Sequence, residues 1–194
     1  MQFQEDTAIM EVPALTQMLK DRAEAVQTIF QSVPSLDDCF RHAINVTLQL
    51  QGSTIAAPQL SPAHQQRLHR LCEESGIHLL TSELRKHSGQ IHTGFTLGDW
   101  AIAETATVVL DSTAEDVRIA TMLSETHVAA VPHSRVRATA LELADELSEA
   151  MSSPPTYLAF ISGASRTADI ERVLTIGVHG PQEFHLIILE EEPA

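Results

Sequence analysis

Several short runs of this chain are apolar at almost every position instead of at every second one. They are TVVLD at Thr107–Asp111, HVAAV at His127–Val131, YLAFIS at Tyr157–Ser162 and FHLIIL at Phe184–Leu189. Strands that are buried on both faces show this pattern, which is typical of parallel sheets covered by helices. Because segments with helical periodicity separate the runs, we predict an α/β fold with a mainly parallel sheet and helices on both faces.

The first 50 residues are predicted to form a helical extension in front of this sheet. Residues 12–31 carry one apolar stripe at helical spacing. Its members are Leu15, Met18, Leu19, Val26, Ile29 and Phe30. Ser35 and Asp38 then resemble a capping box, which predicts that a second helix follows. We therefore divide the chain into an N-terminal helical extension, residues 1–50, and an α/β domain, residues 51–194.

Helix starts can also be predicted within the second region. Ser61 followed by Pro62 is a favourable start, because serine caps the free N–H groups and proline is tolerated in the first turn. Ser112 and Glu115 resemble another capping box. Ser134 is predicted to cap a later helix.

Glycines interrupt the stretch at residues 82–100, which is mixed in composition. Since glycine favours turns and weakens regular elements, we predict that this stretch is mostly loop. Short strands are predicted before it, at residues 53–58 and 77–81.

Charge and cysteine content exclude several classes of function. With 12 basic and 26 acidic residues the net charge is −14, which opposes binding to nucleic acid or to an anionic membrane surface. No apolar run approaches the roughly 20 residues that span a bilayer. The two cysteines, Cys39 and Cys72, are too few for an iron–sulfur cluster, which usually needs four thiolates. No metal-binding histidine spacing is present. We expect a cytoplasmic protein with no cofactor or metal of its own.

The segment Ile161–Glu171 (ISGASRTADIE) is the first candidate site, because a glycine turn follows a buried strand and precedes a predicted helix. Ligands of open α/β sheets bind beyond the carboxyl ends of strands, and a helix N-terminus favours anions. The predicted ligand-binding residues are Gly163, Ser165, Arg166, Thr167 and Asp169. The alternative is structural, with Thr167 capping the helix, Asp169 stabilising its first turn and Arg166 paired with a neighbouring acid.

A histidine lies between two glycines in the second candidate segment, Thr175–Pro181 (TIGVHGP). His179 is predicted as a catalytic acid or base, because its imidazole can change charge near neutral pH. Gly180 is predicted to let backbone approach the ligand. The alternative is that His179 is structural, as a lone histidine more often is.

The third candidate precedes the strand TVVLD. Glu104 could act as a base or nucleophile, while Thr105 and Thr107 could donate hydrogen bonds to a ligand. The alternative is that Glu104 is an exposed turn residue, or that it pairs with an arginine such as Arg118, Arg135 or Arg166.

These three segments, AIAETATVVL, SGASRTADIE and IGVHGP, occur in an order that resembles the LUD domain family. The resemblance covers about Ser53 to Leu189, and SRTADIE with GVHGP is its most specific part. Two positions depart from the family pattern. Ala106 stands where members usually have glycine, and Ala164 stands where they usually have proline.

The resemblance implies a fold similar to that of sugar-phosphate isomerases and CoA transferases. It also implies membership of a three-protein system that oxidises L-lactate to pyruvate with iron–sulfur partner proteins. Without a cysteine set, this chain would be the accessory, non-redox subunit, with an anion-binding pocket at the C-terminal edge of the sheet. Two alternatives stay open. The chain could be an autonomous enzyme of the isomerase, acyl or CoA transferase, or ligase type, or a ligand-sensing module for an anionic metabolite.

Overall fold

The computed structural model describes residues 12–152, 156–167, 175–176 and 180–191. Its helices are α1 Val12–Ala25, α2 Leu36–Gln49, α3 Pro62–Glu74, α4 Glu115–Met122 and α5 Ala144–Ala150. Its strands are β1 Ile29–Val33, β2 Thr54–Ala56, β3 His78–Leu80, β4 Thr93–Leu97, β5 Trp100–Ile102, β6 Thr107–Asp111, β7 Thr126–Pro132, β8 Val136–Arg137, β9 Leu158–Ile161, β10 Arg166–Thr167, β11 Thr175–Ile176 and β12 Glu183–Leu189.

Six of the described strands form a parallel sheet in the order β1-β12-β7-β4-β2-β3. The central strands β7 and β12 are buried along almost their whole length because both of their faces are covered. Val128 and Ala130 belong to the buried cluster that includes α2 and α3, while Ala129 and Val131 belong to the cluster on the opposite face. The α/β fold class predicted from the sequence is confirmed.

A second sheet, which the sequence did not reveal, has the order β8-β5-β6-β9 among the described strands. Its β5–β6 and β6–β9 pairs are antiparallel. The apolar runs TVVLD and YLAFIS therefore do not lie in the parallel sheet. Burial explains why TVVLD looked like a parallel strand. Val108 and Leu110 face the main core, while Val109 packs with Leu143 on the other face.

Two of the predicted helix starts are confirmed. The Ser35 hydroxyl accepts a hydrogen bond from the Asp38 N–H, and the Asp38 carboxylate accepts one from the Ser35 N–H, which completes the capping box of α2. Ser61 caps α3, whose first residue is Pro62. Both predictions succeeded because these caps depend only on residues within one helical turn.

Two other helix predictions were wrong. Ser112 does not cap α4. The cap position is Ala114, and the Ser112 hydroxyl donates a hydrogen bond to the carbonyl oxygen of Tyr157. The helix expected after Ser134 is replaced by a short 3-10 turn, the strand β8, a second 3-10 turn and then α5. In both places contacts between distant segments outweigh local preference.

The single helix predicted for residues 12–31 was also wrong. Gln27 adopts a left-handed conformation with φ 58°, which ends the helical segment after Ala25. The chain then forms β1, which pairs with β12 at one edge of the parallel sheet. The first 50 residues thus contribute a strand to the main sheet as well as two helices.

The loop predicted for residues 82–100 contains β4, which lies between β7 and β2 in the parallel sheet. The glycine that suggested a loop, Gly94, has a packing role instead. A Cβ atom at this position would lie 2.0 Å from the carbonyl oxygen of Ala120 in α4. Glycine is present here because helix and strand approach each other so closely.

Candidate functional site

The first candidate segment forms a turn after β9. Gly163 adopts a positive φ of 82°, which favours glycine. The backbone of Arg166 and Thr167 then forms β10, which pairs with β11. Thr167 is therefore in a strand at the position where a helix cap was predicted. The predicted helix Ala168–Leu174, which includes Asp169, lies outside the described residues, and so does His179.

Arg166 contacts the end of α1. Its guanidinium donates a hydrogen bond to the carbonyl oxygen of Val26. The turn lies close to the same group, since a Cβ atom on Gly163 would be 2.9 Å from that oxygen. Among the described residues Arg166 forms no ion pair with an acid. The structure thus shows Arg166 joining the turn to the first helix, and its predicted role in binding an anion stays a prediction.

Three hydroxyl groups form a continuous hydrogen-bonded row beside this turn. Thr105 Oγ1 lies 2.7 Å from Thr107 Oγ1, which lies 2.6 Å from Ser162 Oγ. Thr107 is buried, while Thr105 and Ser162 are exposed at the two ends. This row, the hydroxyl row, brings together the first and third candidate segments. Ser162 was not among the predicted site residues, although its position at the end of a strand next to a glycine turn could have indicated it.

Glu104 is exposed and takes part in a backbone contact. Its Oε1 atom accepts a hydrogen bond of 2.9 Å from the N–H of Ala140, and its own N–H donates to the carbonyl oxygen of Ala138. None of the described arginines forms an ion pair with it. A carboxylate held in this way stabilises the 3-10 turn at Ala140–Leu143, in line with the turn-residue alternative.

The first and second candidate segments meet around a cavity of about 270 Å³, here called the Arg118 cavity. The N–H of Ser165 donates a 2.9 Å hydrogen bond to the carbonyl oxygen of Pro181. A Cβ atom on Gly180 would lie 2.9 Å from Ser165 Cβ, so the backbones are in close contact. Among the residues that line the cavity are Arg118, Met122, Ile161, Gly163, Ser165 and Gly180.

This cavity does not lie at the carboxyl edge of the parallel sheet, where the pocket was predicted. Gly180 and Pro181 lead into the amino end of β12, and the N–H of Gln182 donates to the carbonyl oxygen of Glu125, which precedes β7. The prediction failed because it placed β9 in the parallel sheet. Since β9 belongs to the second sheet, its carboxyl end meets the amino ends of β7 and β12.

Arg118 is a residue of this cavity whose role the sequence did not indicate. Its Nη1 atom donates hydrogen bonds of 2.6 Å and 2.7 Å to the carbonyl oxygens of Ser112 and Thr113. Its Cζ atom lies 5.9 Å from the centre of the Tyr157 ring. In the sequence Arg118 is an ordinary helix residue that follows two acids, and no local signal separates it from other surface arginines.

The cysteines are unsuited to holding an iron–sulfur cluster. Cys39 and Cys72 are both buried, and burial raises the pKa of each thiol to about 12, which opposes the thiolate form that binds metal. Among the described residues, no group of three or more histidine, cysteine, aspartate or glutamate side chains could hold a metal ion. The described helices also include none that is both long and apolar enough to cross a membrane.

Comparison with known proteins decides the family. The model of the LUD domain matches residues 15–189, which is most of the chain. The chain belongs to the LUD domain family. The matched region includes α1 from Leu15 onward, β1 and α2, so the family domain extends into the first 50 residues.

Several relatives of this LUD domain are named lactate utilization protein C. The one from Geobacillus thermodenitrificans is 32% identical over 126 residues, which cover 61% of this chain and 52% of the relative. Lactate utilization protein C 1 of Bacillus mycoides is 38% identical over 102 residues, covering 51% and 44% of the two chains. The protein from Bacillus velezensis is 27% identical over 192 residues, covering 91% and 78%. The chain thus spans about half the length of the first two relatives.

A crystal structure of a DUF162 family protein from Deinococcus radiodurans has a similar fold. The TM-score is 0.58 at 16% sequence identity, over 93% of this chain and 99% of the other. At this level of identity the likeness concerns the fold alone.

At one of the two positions that depart from the LUD resemblance, the backbone adopts a conformation that favours glycine. Ala106, where members usually have glycine, is buried and adopts a left-handed conformation with φ 49° and ψ 45°. Glycine adopts this conformation freely, whereas alanine pays about 1 kcal/mol or more. Ala106 retains the turn that places Thr105 and Thr107 in the hydroxyl row. Ala164 is half-buried against the main core.

Proposed function

We propose that this chain is a cytoplasmic, non-redox subunit of a lactate-utilisation system, and that it binds a small anionic metabolite. The name shared by its relatives supports the lactate role. Because the chain spans only about half of the first relatives, its activity and partners are part of the proposal. In this proposal, iron–sulfur proteins carry the electrons that leave L-lactate on its oxidation to pyruvate.

The observation that carries the proposal is the meeting of the two most specific LUD segments around one cavity. They follow each other closely along the chain, and the Ser165 N–H donates a hydrogen bond to the carbonyl oxygen of Pro181, with both residues lining the Arg118 cavity. A concave site with a few converging polar groups is the usual form of a small-molecule site. The position of these segments therefore supports ligand binding as the role of this region.

The chemistry of the described side chains supports a non-redox role. The two cysteines are buried and held as neutral thiols, so they are poor cluster ligands. The proposed catalytic residue Glu104 is engaged by the Ala140 N–H and would have to leave it to act as a base. Electron transfer is therefore assigned to partner proteins, and this chain is assigned a ligand-binding or assembly role.

An anaerobic pull-down tests the proposal. The tagged chain is recovered from its own host grown on L-lactate, the bound proteins are identified and iron is assayed. We expect a cysteine-rich, iron-containing partner that is less abundant in cells grown without lactate. A tag-only strain is the control for nonspecific capture. Recovery of the chain alone from lactate-grown cells, free of iron and of partners, would show that the subunit proposal is wrong.

A further inference from the structure

We propose that Arg118 anchors a small monocarboxylate in the Arg118 cavity. The inference deepens the proposed function, because it names the ligand class and the residue that recognises it. It assigns that role to a residue of α4 outside the three candidate segments. The argument depends on the donors of the guanidinium, on the acids near it and on the walls of the cavity.

One edge of the Arg118 guanidinium is fixed by backbone contacts. Arginine has five N–H donors, and both of those on Nη1 are directed at the carbonyl oxygens of Ser112 and Thr113. The donors on Nε and Nη2 have no hydrogen-bond partner among the described residues. This edge carries two parallel N–H groups, whose spacing matches the two oxygens of a carboxylate. The backbone contacts therefore orient the group before a ligand arrives.

The acids next to Arg118 on α4 are engaged elsewhere. Glu115 accepts hydrogen bonds from Arg85. Asp116 accepts hydrogen bonds of 3.0 Å and 2.9 Å from the backbone N–H groups of Glu83 and Leu84. Among the described residues no acid lies within ion-pair distance of Arg118. Arg85, and after it Arg118, lowers the pKa of Glu115, but Arg118 forms no ion pair with this carboxylate and can pair with an anion from solution.

The walls of the cavity combine apolar surface with hydroxyl groups. Met122, Ala159, Ile161 and Pro181 provide the apolar part, and Met122 is 55% exposed although it is a large hydrophobic residue. Ser165 Oγ has no hydrogen bond among the described residues. Such a site suits a ligand with a short apolar body and a polar substituent.

Size and charge narrow the ligand class further. A volume of about 270 Å³, close to the lower limit of the range of about 300–1,000 Å³ typical of drug-sized ligands, leaves room for a small metabolite. Arg118 is the one described cation of the lining, and the C-terminal end of α4, whose carbonyl groups carry partial negative charge, lies at Met122. A chain of net charge −14 also repels multiply charged anions. A single negative charge therefore fits better than a phosphate dianion.

Binding to the full chain tests this assignment, with L-lactate, pyruvate and inorganic phosphate as probes in calorimetric titrations. Arg118→Lys keeps the positive charge but removes the paired donors. Because this change could also loosen the turn at Ser112 and Thr113, a second variant leaves Arg118 in place. Ala159→Leu fills the cavity from β9. Phe160→Leu, at the next position of the same strand and facing the opposite side, is its matched control, and Arg70→Lys is the control for the arginine.

We expect a monocarboxylate to bind the wild type, and Arg118→Lys and Ala159→Leu each to weaken that binding by at least about tenfold. The two controls should stay within about twofold of the wild type. No binding of either carboxylate by the wild type, retained affinity in both test variants, or tighter binding of phosphate than of either carboxylate would each overturn the assignment. Because this test uses the isolated chain, it can fail while the pull-down succeeds, and the two outcomes remain distinguishable.

Discussion

Gly94 of β4 lies directly against the carbonyl oxygen of Ala120 in α4. A Cβ atom at Gly94 would approach this oxygen to 2.0 Å, far inside van der Waals contact. The absence of a side chain thus sets the distance between helix and sheet. Because Arg118 and Met122 belong to the same helix, the packing at Gly94 also sets the position of one wall of the Arg118 cavity.

Gly94→Ala is expected to lower the free energy of unfolding by about 3 kcal/mol, because the obstructing atom belongs to backbone and cannot rotate away. Gly89→Ala is the matched control, since a Cβ atom there meets nothing within 4 Å. Gly89→Ala should leave the free energy of unfolding unchanged or raise it by up to about 1 kcal/mol. Urea unfolding measures both. Equal stability of the two variants would contradict the close packing of α4 against β4.

Replacing Gln51 by glycine is expected to stabilise the protein. Gln51 follows the last turn of α2 with φ 61°, and the neighbouring bonds, Gly52 N–H to Thr47 carbonyl and Gln51 N–H to Leu48 carbonyl, form a Schellman motif. Glycine removes the left-handed strain, for a gain of about 0.5–1 kcal/mol.

Thermal denaturation checks the Gln51 prediction, with a rise in Tm expected. The exposed residue Arg41, in the middle of the same helix, provides the opposite control. Arg41→Gly should cost about 1 kcal/mol, because glycine weakens a helix interior. A fall in Tm for Gln51→Gly would show that the left-handed cap of α2 is absent in solution.

Protein stability is expected to fall as the pH is lowered from about 6.5 towards 4. Burial lowers the pKa of His42 to about 4 and of His127 to about 3, and it also lowers the pKa of His185. His42 Nε2 lies 2.9 Å from His185 Nδ1, so protonation of both rings would break their hydrogen bond. Between the unfolded and folded pKa values only the unfolded chain binds the protons, which favours unfolding.

Urea unfolding at several pH values between 7.5 and 5 measures this dependence. Each such histidine adds up to about 1.4 kcal/mol per pH unit to the slope, before the acidic residues begin to titrate. His42→Gln should flatten the profile. A profile that is flat in the wild type would disprove the burial of these rings.

Arg166→Gln is expected to lower the free energy of unfolding by about 1 kcal/mol, because the Val26 carbonyl at the end of α1 loses a donor. Arg166→Lys should lose less, since an ammonium group can still donate to this oxygen. Guanidinium unfolding of the two variants, compared with wild type, measures the difference. Unchanged stability in Arg166→Gln would show that the contact with Val26 contributes nothing to the fold.

Features that depend on neighbours in sequence could be predicted well. The capping box of Ser35 and Asp38 and the Ser61–Pro62 start were both located from residues within one turn. Strands β7 and β12 could be predicted because a strand that is buried on both faces has apolar residues at most of its positions. The LUD motifs likewise directed attention to the turn at Gly163 and to Gly180.

Features that depend on distant partners were missed or misplaced. Gly94 suggested a loop because glycine is frequent in loops. The contact that requires glycine at this position is with the carbonyl oxygen of Ala120, which belongs to another element. Strand β9 was assigned to the parallel sheet because an apolar run does not show which strand it pairs with. The sequence pattern pairs Ser112 with Glu115 in a capping box, but the Ser112 hydroxyl donates a hydrogen bond to the carbonyl oxygen of Tyr157.

The fold class, the family and the two segments that line the cavity could be predicted from the sequence, because each depends on residue types over short stretches. The meeting of these segments at the amino ends of β7 and β12, and the presence of Arg118 in the same cavity, depend on contacts between elements that are distant in sequence. The physical reason is that an arginine on a helix looks the same in sequence whether its partners are water, an acid or a backbone turn. Its donors acquire a direction only when α4 packs against β4 and the carbonyl groups of Ser112 and Thr113 fix one edge of the guanidinium.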